Sequence, residues 1–296
     1  MKDYLLNFEE YLKNKKKASQ NTLESYLRDV SQFTEYCNTV RIKSVNDINL
    51  TTIESYSKYL EKTNKAVSSI SRAIASIRCY LAFLKSSGII SENAAIGFKT
   101  VKKERKFPEV LTSREVIQIL SQPSGSDYKS CRDKAMLELL YATGIKVSEL
   151  VELKLNDVNV QVGIVALHND KNSRLIPLYP DAVKAIKDYI SIRDAIVPDD
   201  QNTMFTNLNG QPLTRQGFWK IIKSYAQKAN IKKDITPHTI RHSFAAHLLE
   251  NGAPLEDIKE MLGHSDISST QIYAQMLKNK YSQSYKRFHP LANKSH

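Results

Sequence analysis

Cysteine is scarce: Cys37, Cys79 and Cys131 are the only three in 296 residues. An odd number of widely spaced thiols, each in a helix-like stretch, argues against a disulfide or zinc framework and reads as reduced packing residues. Long apolar runs are missing too, since none approaches the roughly 18 residues that a membrane span needs. The opening MKDYLLNFEE mixes charges of both signs, where a signal peptide has a basic and then an apolar stretch. A cytoplasmic protein without a membrane partner is expected. Neither an internal repeat nor a low-complexity tract is visible. Acidic residues are outnumbered, 31 against 43 Lys and Arg, for a net charge of +12. That balance suggests a polyanionic partner, with nucleic acid ahead of an acidic membrane surface.

A chain of this length has room for two domains with separate cores. In NTLESYLRDVSQFTEYC, the residues Leu23, Tyr26, Leu27, Val30 and Phe33 share one helix face, with Asn21 as the expected cap and Glu24 completing a capping box. In AVSSISRAIASIRCYLAFLKSSG, the residues Val67, Ile70, Ile74, Ile77, Leu81 and Leu84 repeat the pattern until Gly88 stops the helix, while Arg72 and Arg78 point elsewhere. With shorter helices at residues 2–14 and 51–62, these form an expected all-helical domain over 1–97. Residues 1–105 hold 18 Lys and Arg against 11 Asp and Glu, so this smaller part carries +7 of the charge. A basic linker, 98–110, gathers Lys99, Lys102, Lys103, Arg105 and Lys106 before Pro108. It is either a solvated charge run or a strap along a phosphate backbone.

A second domain is expected over 111–296. Thr112 and Glu115 form a capping box, and a helix from about Lys129 to Thr143 is broken by Gly144. NVQVGIVALHNDKNSRLIPL then changes the period, with two short β-branched runs flanking a polar turn: a hairpin. Beyond Pro180 the pattern is helical again, apart from a turn at NLNGQPLT. The fold class is therefore mainly α with a small antiparallel β-sheet, α+β.

TPHTIRHSFAAHLL, residues 236–249, places His238, Arg241, His242 and His247 within ten positions. His238 and His242 are four apart and could share a helix face, but no Glu follows as in a hydrolytic zinc helix, and Arg241 would repel a cation; no metal site is expected. Ala245, Ala246, Leu248 and Leu249 supply an apolar face, which makes His242 and His247 structural. His238 and Arg241 stand near a helix start, where free N–H groups favour an anion and arginine offers a planar fork for two phosphate oxygens. Downstream, His264 follows a Gly turn and Tyr273 comes nine residues later.

In PHTIRHSFAAHLLENGAPLEDIKEMLGHSDISSTQIYA, an H-x-x-R pair, LGH and a Tyr recur at steps of three, 23 and nine residues. This pattern resembles the tyrosine recombinase and integrase family, most closely the Xer-type bacterial chromosome-dimer recombinases. The likeness extends over LYATGIKVSEL, the hairpin, the tail YKRFHPLA and the N-terminal helices. It implies a core-binding, SAM-like helical domain before a catalytic domain. It makes Tyr273 the nucleophile, Arg241 a clamp on the scissile phosphate, His238 and His264 hydrogen-bonding or proton-handling partners, and Glu149 an acidic residue supporting them. The implied reaction joins Tyr273 to a DNA 3′-phosphate with loss of a 5′-hydroxyl, and needs neither ATP, metal nor other cofactor. Implied partners are double-stranded DNA with paired half-sites, further recombinase protomers in a homo- or heterotetramer, and a DNA translocase. Candidate DNA-binding residues are Arg72, Arg78, Lys102, Lys103 and Arg105. A terminal segment from about Tyr281, with Tyr285, Phe288 and Leu291, would dock on a neighbour or pack on its own domain.

The chemistry needs such residues on general grounds. Phosphodiester displacement builds negative charge on oxygen, which fixed cations and donors stabilise. A phenol with a pKa near 10 needs a base or a cationic field before it attacks. Two positions depart from the family: Lys146 stands where it has Arg, and Asn169 aligns with its hairpin lysine, which serves as general acid. Lys171, two residues on, either substitutes as that acid or is an ordinary turn lysine. Weakened catalysis is one expectation. A recombinase-fold DNA-binding or architectural protein with impaired cleavage is the alternative, and a metal-dependent nuclease is a third class.

Overall fold

The computed structural model describes residues 4–98, 107–168, 173–196 and 202–288. The chain divides into two compact units, Met1–Arg105 and Lys106–His296.

In the first unit, α1 (Leu5–Glu10) runs into a π-helical turn, Tyr11–Lys15, and is followed by α2 (Gln20–Thr39), α3 (Leu50–Lys62) and α4 (Val67–Ser86). The apolar stripes meet in a core holding Phe8, Phe33, Tyr56, Ile74, Ile77 and Tyr80. One expectation is corrected at α2. Its cap is Ser19, whose hydroxyl accepts the Thr22 N–H at 3.4 Å, and Asn21 lies inside the helix. The Gln20 amide donates to Glu24 at 2.8 Å, so Glu24 braces the first turn along the helix instead of closing a box with Asn21. Gly88, at φ +70°, follows the end of α4 as the sequence suggests. α4 is long and apolar enough to cross a membrane by length and composition, unlike the reading from apolar runs, and half of its apolar window is buried. All three thiols are free, and burial raises each pKa, that of Cys37 to about 11.

The second unit opens on α5 (Ser113–Leu120). The Thr112 hydroxyl accepts the Glu115 N–H at 3.2 Å and the Glu115 carboxylate accepts the Thr112 N–H at 2.7 Å, the reciprocal cap expected there. α6 (Tyr128–Thr143) is the central helix, with Ala135, Met136, Leu137, Leu139 and Leu140 all buried. It is followed by α7 (Val147–Glu152). The expected hairpin is β2 (Ile164–His168) paired antiparallel with β3 (Ser173–Pro177), and a two-residue strand β1 (Val158–Asn159) adds a third member in the order β1-β2-β3. Val165 pairs with Ile176 and Leu167 with Arg174. Then come α8 (Pro180–Arg193), α9 (Arg215–Lys228), α10 (Pro237–Glu250), α11 (Leu255–Leu262) and α12 (Gln271–Phe288). The turn at NLNGQPLT closes with the Asn207 N–H donating to the Gln211 carbonyl at 2.8 Å, and Gly210 lies at φ +73°. Phe244, Ala245, Ile258, Leu262 and Tyr273 form a small separate core where α10, α11 and α12 meet, and this cluster fixes the elements bearing the candidate site.

Candidate active site

Arg241 is the best fixed of the candidate residues. α10 starts cleanly: the Thr236 hydroxyl accepts the Thr239 N–H at 3.2 Å, the Thr239 hydroxyl accepts the Thr236 N–H at 3.1 Å, and Pro237 holds the first helical position, where no N–H is needed. Arg241 is 5% exposed. Its Nη2 donates to the Leu262 carbonyl at 2.6 Å and its Nη1 to the Gly144 carbonyl. Leu262 is the last residue of α11 and Gly144 caps α6, so the guanidinium lies where two helix C-termini present unpaired carbonyls and negative partial charge. Gly144 has φ +58°, and the Phe244 ring occupies the space a Cβ would need. Burial lowers the arginine to about 10, opposed by the charge of Glu149, and it stays cationic at neutral pH. Among the described residues these carbonyls take two of its five N–H groups, and the remainder can serve an oxyanion.

Tyr273 is the third residue of α12 and 1% exposed. Its hydroxyl lies 2.8 Å from Nδ1 of His242, with ring centroids 5.7 Å apart. Burial raises the phenol pKa and the charge of Arg241 opposes the rise. His238, exposed and one turn before His242, has its ring 6.4 Å from that of His242. Burial, then His238 and Arg241, lower His242 to about 4, so it is a neutral imidazole at neutral pH.

His264 follows Gly263, which ends α11 at φ +64°. Its Nδ1 is 2.9 Å from the hydroxyl of the buried Thr270. Burial, then the charges of Arg241 and Lys146, lower it to about 4, with His242 and Arg174 acting in the same sense. Lys146 caps α7; its backbone N–H donates to Glu149 Oε2 at 2.8 Å, and the residue is exposed. Glu149 Oε2 also accepts from Arg174 Nη2 at 2.8 Å.

Tyr273, Arg241, His238, His264, Lys146 and Glu149 are thus gathered in one region of the second unit. Asn169 and Lys171 lie outside the described residues, as do Lys102, Lys103, Arg105 and Leu291. Arg72 and Arg78 belong to the first unit. Arg72 donates to both oxygens of Asp29, at 2.8 and 2.9 Å, and Arg78 donates to the carbonyls of Ala95 and Phe98, at 3.1 and 2.9 Å. Tyr281, Tyr285 and Phe288 are exposed on α12.

Two members of the cluster escaped the sequence reading. His242 was assigned to packing, yet it bonds the Tyr273 hydroxyl. Its neighbour His247 is the structural one, bridging the Tyr141 hydroxyl and the Leu111 carbonyl, each at 2.9 Å. Arg174 belongs to none of the catalytic motifs read from the sequence. The signal for it is the strand alternation in SRLIPL, which puts a charged residue on the same inward face as Ile176.

Comparison with known proteins places both units in one family. The phage integrase family model matches residues 109–280, and that of the phage integrase N-terminal SAM-like domain matches residues 5–88. A tyrosine recombinase XerD of Staphylococcus haemolyticus (strain JCSC1435) is 41% identical over 290 residues, covering 96% of this chain and 98% of its own. Another, of Listeria innocua serovar 6a, is 40% identical over 297 residues, covering 99% and 100%. The XerH site-specific recombinase bound to a palindromic difH substrate shares the fold with a TM-score of 0.77 at 18% identity, over 95% of this chain and 84% of its own.

Proposed function

Because the chain belongs to the phage integrase family, as a site-specific tyrosine recombinase, we propose that Tyr273 attacks a backbone phosphorus of double-stranded DNA and that the cluster around Arg241 is its active site. The Tyr273 oxygen forms a bond to phosphorus as the bond to the 5′-oxygen breaks, giving a 3′-phosphotyrosyl link and a free 5′-hydroxyl. A 5′-hydroxyl of a second strand reverses the step, so no external energy source is consumed. The observation that carries this reading is the Tyr273 hydroxyl, set 2.8 Å from a neutral imidazole and within the field of Arg241.

The proposed roles are supported by the contacts around Arg241 and Tyr273 and, for Lys171, by its place in the sequence. Arg241 stabilises the charge that develops on the phosphate oxygens with the N–H groups that the two carbonyls leave free. His242 accepts the phenolic proton, and His238 and His264 donate to phosphate oxygens, with Thr270 holding the far side of the His264 ring. Lys146 supplies charge, and Lys171 supplies the proton to the leaving 5′-oxygen. At 1% exposure Tyr273 must be uncovered before phosphorus can reach it, which DNA binding provides.

The helical domain (1–97), the basic linker (98–110) and the catalytic domain (111–296) hold the duplex. Lys102, Lys103 and Arg105 contact phosphates, joined by Arg72, whose side chain is 41% exposed beyond its bond to Asp29, and by Arg78 through any N–H not held by carbonyls. Protomers pair on two half-sites and join as a homo- or heterotetramer through the segment from about Tyr281, in the cytoplasm, with a DNA translocase as a further partner.

Catalysis is slower than the family's usual rate, because Lys146 cannot make the bidentate contact of arginine and, with Asn169 in the family's lysine position, the leaving group must take its proton from Lys171 two residues on. The same two residues support a second reading, a recombinase-fold protein that binds DNA and cuts poorly or not at all. A nicked suicide substrate separates them. The recombinase forms a covalent adduct that is lost in Tyr273→Phe, whereas tight binding to the proper site without adduct means the second reading is right. Chelator-sensitive cutting with no adduct would instead indicate a metal-dependent nuclease.

A further inference from the structure

Arg174 occupies a position where a strand normally buries an apolar side chain. On β3 it shares the inward face with Ile176 and lies opposite Leu167, which is 3% exposed. An arginine survives there because its charge is paired and two of its three nitrogens are hydrogen-bonded. Nη2 donates to Glu149 Oε2 at 2.8 Å, and Nε donates to the Met261 carbonyl at 2.9 Å. Nη1 is buried without a hydrogen-bond partner among the described residues. The guanidinium lies against Gly263, where a Cβ would sit 2.7 Å from Nη1 and 2.9 Å from Cζ.

These contacts join the two segments that present cations and donors to the phosphate. Glu149 Oε2 also accepts the Lys146 N–H, so through one oxygen Arg174 steadies the start of α7. Through Met261 and Gly263 it steadies the turn that carries His264. The next carbonyl, that of Leu262, is held by Arg241, so two guanidinium groups grip consecutive carbonyls at the C-terminus of α11.

Resting on the proposed function, we infer that Arg174 is a positioning residue for DNA cleavage: it locks the His264 turn and the Lys146 cap in register around the scissile phosphate, without touching it. It acts on the stabilisation of phosphate charge, not on protonation of the leaving oxygen.

The test uses the full chain and nicked half-site DNA with either the ordinary 5′-oxygen or a bridging sulfur as leaving atom. Sulfur departs without a proton, so it bypasses the general acid. For Arg174→Met, DNA affinity stays within threefold of the natural protein, while the single-turnover adduct rate falls at least tenfold with both leaving atoms. Arg174→Lys, which keeps the charge but lacks the planar fork whose separate nitrogens reach Glu149 and Met261, falls between the two and decides the matter if Arg174→Met does not fold. In Glu149→Gln the loss from Arg174→Met shrinks, because the two act through one contact. A rate within twofold of the natural protein overturns the inference, and so does recovery with sulfur or a loss that merely follows affinity. If the natural protein itself forms no adduct, the proposed function fails instead. A normal natural rate with a fast Arg174→Met removes only the role of Arg174.

Discussion

Restoring arginine at position 146 should accelerate DNA cleavage. Lys146 is exposed, it caps α7 with extended backbone (φ −71°, ψ 149°), and its charge lowers the pKa of His264. The bond that fixes the cap runs from its backbone N–H to Glu149, so exchange of the side chain leaves the cap intact. Lys146→Arg conserves the charge and adds a planar fork, which can hold two phosphate oxygens where an ammonium acts as a point charge. One further hydrogen bond to a charged group contributes about 1.5–3 kcal/mol. If it forms only as charge builds on phosphorus, the rate rises roughly ten- to 150-fold. The assay is single-turnover adduct formation on a nicked substrate at saturating protein, with dissociation constants measured alongside. A rise in affinity without a rise in rate would mean that the fork binds the ground state equally well. An unchanged or slower rate would refute the reasoning and mean that the pocket has adapted to lysine.

Three other outcomes are expected. His242→Leu leaves the buried Tyr273 hydroxyl without its partner and lowers unfolding stability by about 1–3 kcal/mol; a cycle with Tyr273→Phe, read by denaturant unfolding, should show coupling, and additive effects would mean that the bond is absent in solution. The folded-state values of His242 and His264, about 4 against an ordinary 6.5, mean that the unfolded chain binds more protons between those limits. Stability from this source is therefore complete above about pH 6.5 and is lost as pH falls towards 4, and His242→Gln should flatten the fall in Tm across that window. DNA binding should weaken by on the order of 10³-fold or more between 50 and 200 mM salt if six or more phosphates are neutralised, and a flat response would contradict the assigned partner.

Much of the frame was legible because it depends on local pattern. The stripe of Leu23, Val30 and Phe33 faces the core whether α2 is capped at Ser19 or Asn21, so the packing does not depend on which residue caps the helix. Ser19 with Thr22 and Asn21 with Glu24 are overlapping cap patterns, and spacing alone does not choose between them. What stayed hidden was non-local. The apolar neighbours Ala245, Leu248 and Leu249 made His242 look structural, and nothing near it in the chain announces a partner 31 residues away. Arg174 depends on Glu149 and Met261, which are 25 and 87 residues distant. The grip of Gly144 and Leu262 on Arg241 runs through backbone carbonyls, which no side-chain motif encodes.

That grip explains how a site built from cations can form before any DNA is present. A buried guanidinium without partners is strongly destabilising, and repulsion among Arg241, Arg174 and Lys146 adds to the penalty. The fold offsets this with negative ends that are already fixed: the C-termini of α6 and α11 and the carboxylate of Glu149. Both helix ends turn through a glycine of positive φ, and at both a Cβ would collide, with Phe244 at Gly144 and with Arg174 at Gly263. The imidazoles make the opposite adjustment, remaining neutral because burial, reinforced by the neighbouring cations, disfavours their charged form. In the proposed reaction an arriving phosphate would oppose that pressure at His264, which is to donate to it, and favour its charged form, while His242 stays neutral to accept the phenolic proton. The positive charge needed in the transition state is thereby completed by the substrate, without being held in full by the free protein.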